Sequence, residues 1–179
     1  MKKILLMVVA AMIATVNVNA QTEYDNEIAI AYGGGANTDI VSSIAKGMFT
    51  GKQTSYWGPI SAEYFHRLNN NRVGIGGVFV VGGCKFDDSK DSKSTYFTIM
   101  PAVKYNWSVK KHISWYSKGA VGVTLRSQKG GASSKDDSSA TFNFQASLVG
   151  VEYGSAFRVF GELGVGEQGI ILGGFRYKF

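Results

Sequence analysis

Polar and apolar residues alternate with a period of two along most of this chain. At the end, Ile171, Gly173, Phe175, Tyr177 and Phe179 share one parity; Ile170, Leu172, Gly174, Arg176 and Lys178 share the other. One face is apolar and the other carries the charge, which is the pattern of a β-strand. The same reading holds for Ile113 to Ser127, Thr95 to Trp107 and Ala156 to Gly166. Ser138 to Tyr153 begins in register and shifts parity near Val149, which predicts a bulge. Glu27 to Gly33, Tyr56 to Arg67 and Val73 to Gly83 complete a set of eight predicted strands. In the third of these nearly every residue is apolar or Gly, so its facing follows from parity alone.

The connections alternate as well. Leu68–Asn71, Ser108–His112 and Gly154–Ser155 are short, whereas three of the four connections that alternate with them, Gly34–Ser55, Cys84–Ser94 and Gln128–Ser138, are long and polar; the fourth, Glu167–Gly169, is short. Outer-membrane barrels have short periplasmic turns and long extracellular loops. An even strand count then puts both termini in the periplasm. No segment of helical period is long enough to cover a sheet. Ile40, Val41, Ile44 and Met48 recur at helical spacing after Asn37 or Thr38. That stretch reads either as a short surface helix or as an irregular extension of the first two strands.

The first twenty residues read differently. Lys2 and Lys3 precede an apolar run from Ile4 to Val16, too short for the roughly 20 residues of a spanning helix. Val18-Asn19-Ala20 supplies a small-residue exit, so 1–20 is expected to be a secretory signal peptide and 21–179 a single barrel domain. Its removal takes two Lys from a formal net charge of +6. Gln21, not Cys, follows the exit, so a lipid anchor is not indicated.

Aromatic residues locate the solvent of the apolar face. Tyr105, Trp107, Trp115, Tyr153, Phe157, Tyr177 and Phe179 fall near the short-turn end; Tyr32, Trp57, Phe86, Phe97 and Phe142 fall near the long-loop end. Two aromatic girdles around an aliphatic band match a bilayer about 25 Å thick in its apolar part. Parity alone leaves open a soluble barrel that buries its apolar face; the girdles and strand lengths favour the inverted, membrane arrangement.

The final hairpin, Phe160-Gly-Glu-Leu-Gly-Val-Gly-Glu-Gln-Gly-Ile-Ile-Leu-Gly-Gly-Phe-Arg-Tyr-Lys-Phe179, resembles that of small bacterial outer-membrane β-barrel proteins of the OmpA/OmpX-like type. The resemblance implies an all-β, eight-stranded antiparallel transmembrane barrel. It also implies that Phe175, Tyr177 and Phe179 form the signal read by the barrel assembly machinery. Members of that group include structural barrels, adhesion factors, narrow channels and lipid-modifying enzymes. The implied partners are outer-membrane lipid, lipopolysaccharide, the assembly machinery and an extracellular ligand held by loops, on a monomeric barrel.

Composition removes other chemistries. One Cys excludes an internal disulfide framework and multi-Cys zinc sites, and two His make a His-based metal centre a poor reading. The remaining positive charge is too small to suggest nucleic acid, so neither a cofactor nor a nucleic-acid partner is expected. Gly164-Val-Gly166-Glu-Gln-Gly169 matches a dinucleotide fingerprint, but too few residues follow it to build the helix the fingerprint requires. It reads instead as a hairpin with the three-residue loop Glu167-Gln168-Gly169. That register sets Glu162 opposite Gly174 and diagonal to Arg176.

The polar parity defines the candidate site. Glu63, Lys104, Lys118, Arg126, Arg158, Glu162, Arg176 and Lys178 are expected to point inward, with the facing of Glu152 left open by the bulge. An eight-stranded interior is just wide enough for side chains to fill. A salt-bridged plug, with Glu162 paired to Arg176, is therefore the expected content; an ion or solute path is the alternative. Lipid-modifying barrels use His with Ser near the outer leaflet. Here His66 and His112 fall at short-turn ends, the opposite side, so no catalytic residue is assigned. Acidic clusters at Asp87–Asp91 and Asp136–Asp137 read as solvated loop. Lys46, Lys52, Lys85, Lys90, Lys93, Lys129 and Lys135 are loop cations suited to lipopolysaccharide phosphates. The leading function is a structural or surface-interaction barrel. A narrow channel, a lipid-modifying enzyme and a secreted ligand-binding barrel are the other readings.

Overall fold

Eight strands of alternating facing form one sheet that closes on itself where the first pairs with the last. The computed structural model describes residues 24–36, 54–68, 72–86, 93–110, 112–129 and 137–179. Its strands are β1 (Asn26–Gly34), β2 (Thr54–Arg67), β3 (Val73–Phe86), β4 (Lys93–Val109), β5 (Ile113–Lys129), β6 (Asp137–Gly154), β7 (Phe157–Gly166) and β8 (Ile171–Lys178). Each strand pairs antiparallel with its sequence neighbours, and β1 pairs with β8, so the barrel is closed and the paired wall has no free side. The expected signal peptide and the segment after Asn37 lie outside the described residues, as do most of the loop lysines.

Parity becomes facing. Ile30, Phe97, Val103, Trp107, Trp115, Val121, Leu125, Val159, Leu163, Ile171 and Phe175 are all exposed on the outer wall. Their inward neighbours are buried, as the alternating burial of β7 and β8 shows. A soluble barrel would bury the large apolar set. This one presents it outward and hides Glu, Lys and Arg within, the arrangement hydrocarbon solvent demands. The soluble ligand-binding reading is overturned by that inversion.

The expected bulge is present: the β6–β7 register shifts between Ser147 and Val149, and Leu148 and Val149 are both exposed. The shift restores inward facing to Glu152. Two other irregularities have a common cause. The β2–β3 register shifts next to Pro59, and the β4–β5 ladder omits Met100 and Pro101. Proline has no N–H to give to a ladder.

The wall is uneven. β7, β8 and β1 have 10, 8 and 9 residues, while β4, β5 and β6 have 17, 17 and 18. Ten residues at about 3.3 Å each, tilted about 40°, span roughly 25 Å, the height of the lipid band. The long strands therefore stand well beyond the band on the long-loop side, and the β7–β8 tip ends near its edge.

Candidate functional site: the lumen

Two register pairs pose an electrostatic problem. Lys104 of β4 lies opposite Lys118 of β5, and Arg158 of β7 opposite Arg176 of β8, all with inward side chains. Like charges directly opposite each other destabilise a sheet. Closure solves the problem, because carboxylates arrive from other parts of the wall: Glu27 on β1, Glu63 on β2, Glu152 on β6 and Glu162 on β7. Lys104 Nζ lies 2.6 Å from Glu27 and 3.4 Å from Glu152. Lys118 Nζ lies 2.5 Å from Glu63 and 2.8 Å from Glu162.

Arg176 is the hub. Its guanidinium lies 2.7 Å from Glu152, 3.0 Å from Glu63, 3.5 Å from Glu27 and 3.7 Å from Glu162. The rings of Tyr116 and Phe160 both approach it, at 4.9 and 4.4 Å from centroid to guanidinium carbon. Arg is suited to such a place because its planar fork bonds several acceptors while its faces stack. Glu152 is the matching acid: it also takes Lys178, and Arg158 at 3.4 Å. Glu27 takes Arg67 at 3.0 Å. Among the described residues, six cations and four carboxylates make up this network, and every one of them is buried. An unpaired charge in that setting would cost several kcal/mol, roughly 3–5.

The placement corrects the expected register, while Glu162 and Arg176 still lie within salt-bridge distance, at 3.7 Å. Glu162 lies opposite Leu172, not Gly174, a shift of two residues in the last hairpin. Its nearest partners are Ser147 Oγ at 2.6 Å, Tyr116 Oη at 2.7 Å and Lys118, with Arg176 the most distant of the four. The shift arises because the connection is longer than a three-residue loop. Pairing stops at Leu163–Ile171, with one further bond from Gly164 N to the Ile170 carbonyl. Gly166 and Gly169 take φ of 142° and 111°, a region that favours glycine.

Those glycines turn the tip into the lumen. Glu167 and Gln168 are fully buried. Asn143 Nδ2 donates to Glu167 at 2.8 Å, and Gln168 Nε2 donates to Ser61 at 2.9 Å and Glu63 at 2.8 Å. Gln168 N donates to Gln145 Oε1 at 2.8 Å. The tip thus bolts β7–β8 to β2 and β6 across the bore. Apolar side chains fill another part of the bore: Phe65, Val78, Val80, Tyr96, Met100, Ala102 and Ala120 form one buried cluster. Tyr96 faces Gly82, and Tyr116 faces Gly150, each ring covering the space a side chain on the glycine would take.

Of the expected inward set, Glu63, Lys104, Lys118, Arg158, Glu162, Arg176 and Lys178 meet in one network. Arg126 lies on the same parity, half-buried, farther toward the long loops. Glu27, Arg67, Tyr116, Glu167 and Gln168 join the lumen without having been singled out. For Glu27 and Arg67 the signal was available, since both share parity with inward neighbours on their strands. Both His stand apart: His66 faces outward, its Nδ1 3.0 Å from Asn26 Oδ1, and His112 is exposed in the β4–β5 turn. Phe175, Tyr177 and Phe179 line the outer face, with Tyr177 and Phe179 stacked at 5.9 Å and Phe157 on Phe175 at 5.5 Å.

No protein-family model and no curated protein sequence matches the chain. Solved structures do. Ail, the attachment invasion locus protein of Yersinia pestis, in complex with the heparin analogue sucrose octasulfate, covers 88% of this chain and 100% of its own, with 14% identity and a TM-score of 0.50. The backbone structure of the same outer membrane protein in a phospholipid bilayer nanodisc covers 88% and 100%, with 16% identity and a TM-score of 0.49. The chain has the fold of a small outer-membrane β-barrel. Its apolar exterior embeds it in a bilayer, and this closed eight-stranded form is that of bacterial outer-membrane spans.

Proposed function

We propose that the protein is a surface-interaction barrel whose lumen is a rigid, closed plug and whose recognition is carried by its long loops. One observation supports this most strongly. Every cation of the network lies within 4 Å of a carboxylate that reaches it across or along the bore, and the buried β7–β8 tip lies over them. Such an interior gives rigidity to the wall and leaves no obvious route for a hydrated solute. Interaction is then left to the side where β2 to β6 stand beyond the lipid band. The same reading takes 1–20 as a cleaved signal, the termini as periplasmic, the barrel as a monomer, and Phe175, Tyr177 and Phe179 as its assembly signal.

The loop lysines give the partner its chemistry. Lys46, Lys52, Lys85, Lys90, Lys93, Lys129 and Lys135 fall in or beside the three long connections. Lysines at a surface attract multivalent anions, with strong salt dependence. Lipopolysaccharide phosphates are the membrane-borne candidates, and a sulfated polysaccharide is the natural soluble probe, given the heparin analogue held by Ail. The test is heparin binding to the barrel in nanodiscs. Binding that weakens with salt and with Lys→Gln changes at positions 46, 52, 90 and 135 supports the reading. Binding that ignores both refutes it.

A further inference from the structure

The outer wall is not uniform. A concavity of about 990 Å³ opens on it, lined mainly by outward residues of β2 to β6, with inward-parity Gly76, Ala102, Ala120 and Gln145 also bordering it. One register row crosses it: His66 pairs with Ile75, Ile75 with Val103, Val103 with Gly119 and Gly119 with Ala146. The floor is low where this row meets Gly119 and Ala146. A Cβ built on Gly119 meets nothing within 4 Å, so that position is open space. Phe142 and Phe144 form one bank, 69% and 41% exposed, and Ile75 the other.

The groove lies inside the lipid-facing belt, so its contents are continuous with the bilayer. Hydrocarbon gives no hydrophobic drive toward an apolar surface; holding a chain there depends on close contact and on polar anchors. Both are present. The groove supplies contact on its floor and both banks. Its β2 end carries His66, whose Nδ1 lies 3.0 Å from Asn26 Oδ1, and Tyr64 Oη donates to that same oxygen at 2.9 Å. His66 keeps its second ring nitrogen, Nε2, for a headgroup, and the Asn26 amide keeps its own N–H donors, since its Oδ1 is the atom that His66 and Tyr64 engage. These groups sit near the short-turn end, where the strands leave the apolar band. N–H donors at that level suit a phosphodiester.

We propose that this groove is a binding site for one glycerophospholipid of the short-turn leaflet, with an acyl chain along Gly119 and Ala146 and its phosphate at His66 and Asn26. The site is separate from the lumen and from the loops. It would hold its lipid after detergent has replaced the surrounding bilayer.

The experiment is intact-complex mass measurement of barrel refolded in detergent with palmitoyl-oleoyl-phosphatidylglycerol. The wild-type chain is expected to retain one lipid. Gly119→Leu fills the floor and should lower the retained fraction about tenfold. Gly173→Leu fills an equally open outward position on β8, where the nearest atom is 4.0 Å away, and should change nothing. His66→Ala should lower retention of the phospholipid but not of the matching diacylglycerol. Heat-dependent gel mobility confirms that each variant is folded. Equal retention by Gly119→Leu and the wild type, or equal loss in Gly173→Leu, overturns the proposal. So does a wild-type dimer that Gly119→Leu splits, which would make the groove a contact between two copies. Heparin binding by the loops is read separately, and its outcome leaves this one unaffected.

Discussion

Replacing Arg176 by Met should cost the barrel about 3 kcal/mol. The residue is fully buried and lies within 4 Å of four carboxylates, those of Glu27, Glu63, Glu152 and Glu162. Breaking a buried pair from one side costs roughly 3–5 kcal/mol, because the partner is left without compensation. Here the lower part of that range applies. Each of the four carboxylates keeps at least one other cation within 4 Å: Lys104 for Glu27, Lys118 for Glu63 and Glu162, and Lys104, Arg158 and Lys178 for Glu152. Met fills much of the volume, so the cavity contribution is small. Arg176→Lys keeps the charge and loses the fork and its stacking on Tyr116 and Phe160, and should recover only part of the loss. The assay is urea unfolding in lipid vesicles, followed by the fluorescence of Trp57, Trp107 and Trp115, all exposed on the lipid face. A double-mutant cycle apportions the effect. Coupling of Arg176→Met with Glu152→Gln, from 2.7 Å, should reach about 1–3 kcal/mol and exceed that with Glu162→Gln, from 3.7 Å. Arg176→Met within about 0.5 kcal/mol of the wild type, or a larger coupling to Glu162, would refute the hub.

Glu162 should instead couple to Lys118: the single change Glu162→Gln should destabilise more in the presence of Lys118 than beside Lys118→Met, by about 1 kcal/mol or more in the same unfolding assay. Gly150→Ala places a Cβ 2.4 Å from the buried Tyr116 ring and should cost about 1–3 kcal/mol, whereas Gly119→Ala, in open space, should be near neutral. Leu163→Arg, on the lipid face, should cost about 2–4 kcal/mol if it lies near the midplane, and a change near zero would contradict the membrane orientation. Gly166→Ala meets Phe144 O at 2.3 Å in a backbone region hostile to side chains, and should destabilise the tip, seen as faster hydrogen exchange at Glu167 and Gln168.

The strands were legible because facing in this fold is a binary property carried by every second residue. Val121, Val123 and Leu125 against Ala120, Thr124 and Arg126 needed only counting. Register was harder. The last hairpin slipped by two residues because nothing in Gly164-Val-Gly166-Glu-Gln-Gly169 announces that its polar tip folds inward. A Glu-Gln pair at a turn ordinarily means solvent. Val78 and Val80 face the lumen although their neighbours Phe79 and Val81 are equally apolar, so burial there follows from pairing, not from hydropathy. Glu152 escaped assignment because the bulge beside Val149 flips parity, and only the β7 pairing shows where the flip ends. The β4 strand ends one turn of the pattern later than parity suggested, and β6 starts at Asp137, earlier than its first clear alternation. Charge balance across the bore is a property of closure: Lys104 beside Lys118 looks repulsive until Glu27 and Glu63 are brought in from the far side.

A lumen closed as a salt-bridged plug carries no current. Single-channel current across a planar bilayer tests it most directly, with the refolded barrel inserted and its insertion confirmed by heat-dependent gel mobility. The wild-type barrel should be silent. Gln168→Ala together with Glu167→Ala, which unbolts the tip, should produce steps favouring anions, since six cations face four carboxylates below it. Discrete wild-type steps that change with Arg176→Met would contradict the plug and make the lumen charges the conducting site.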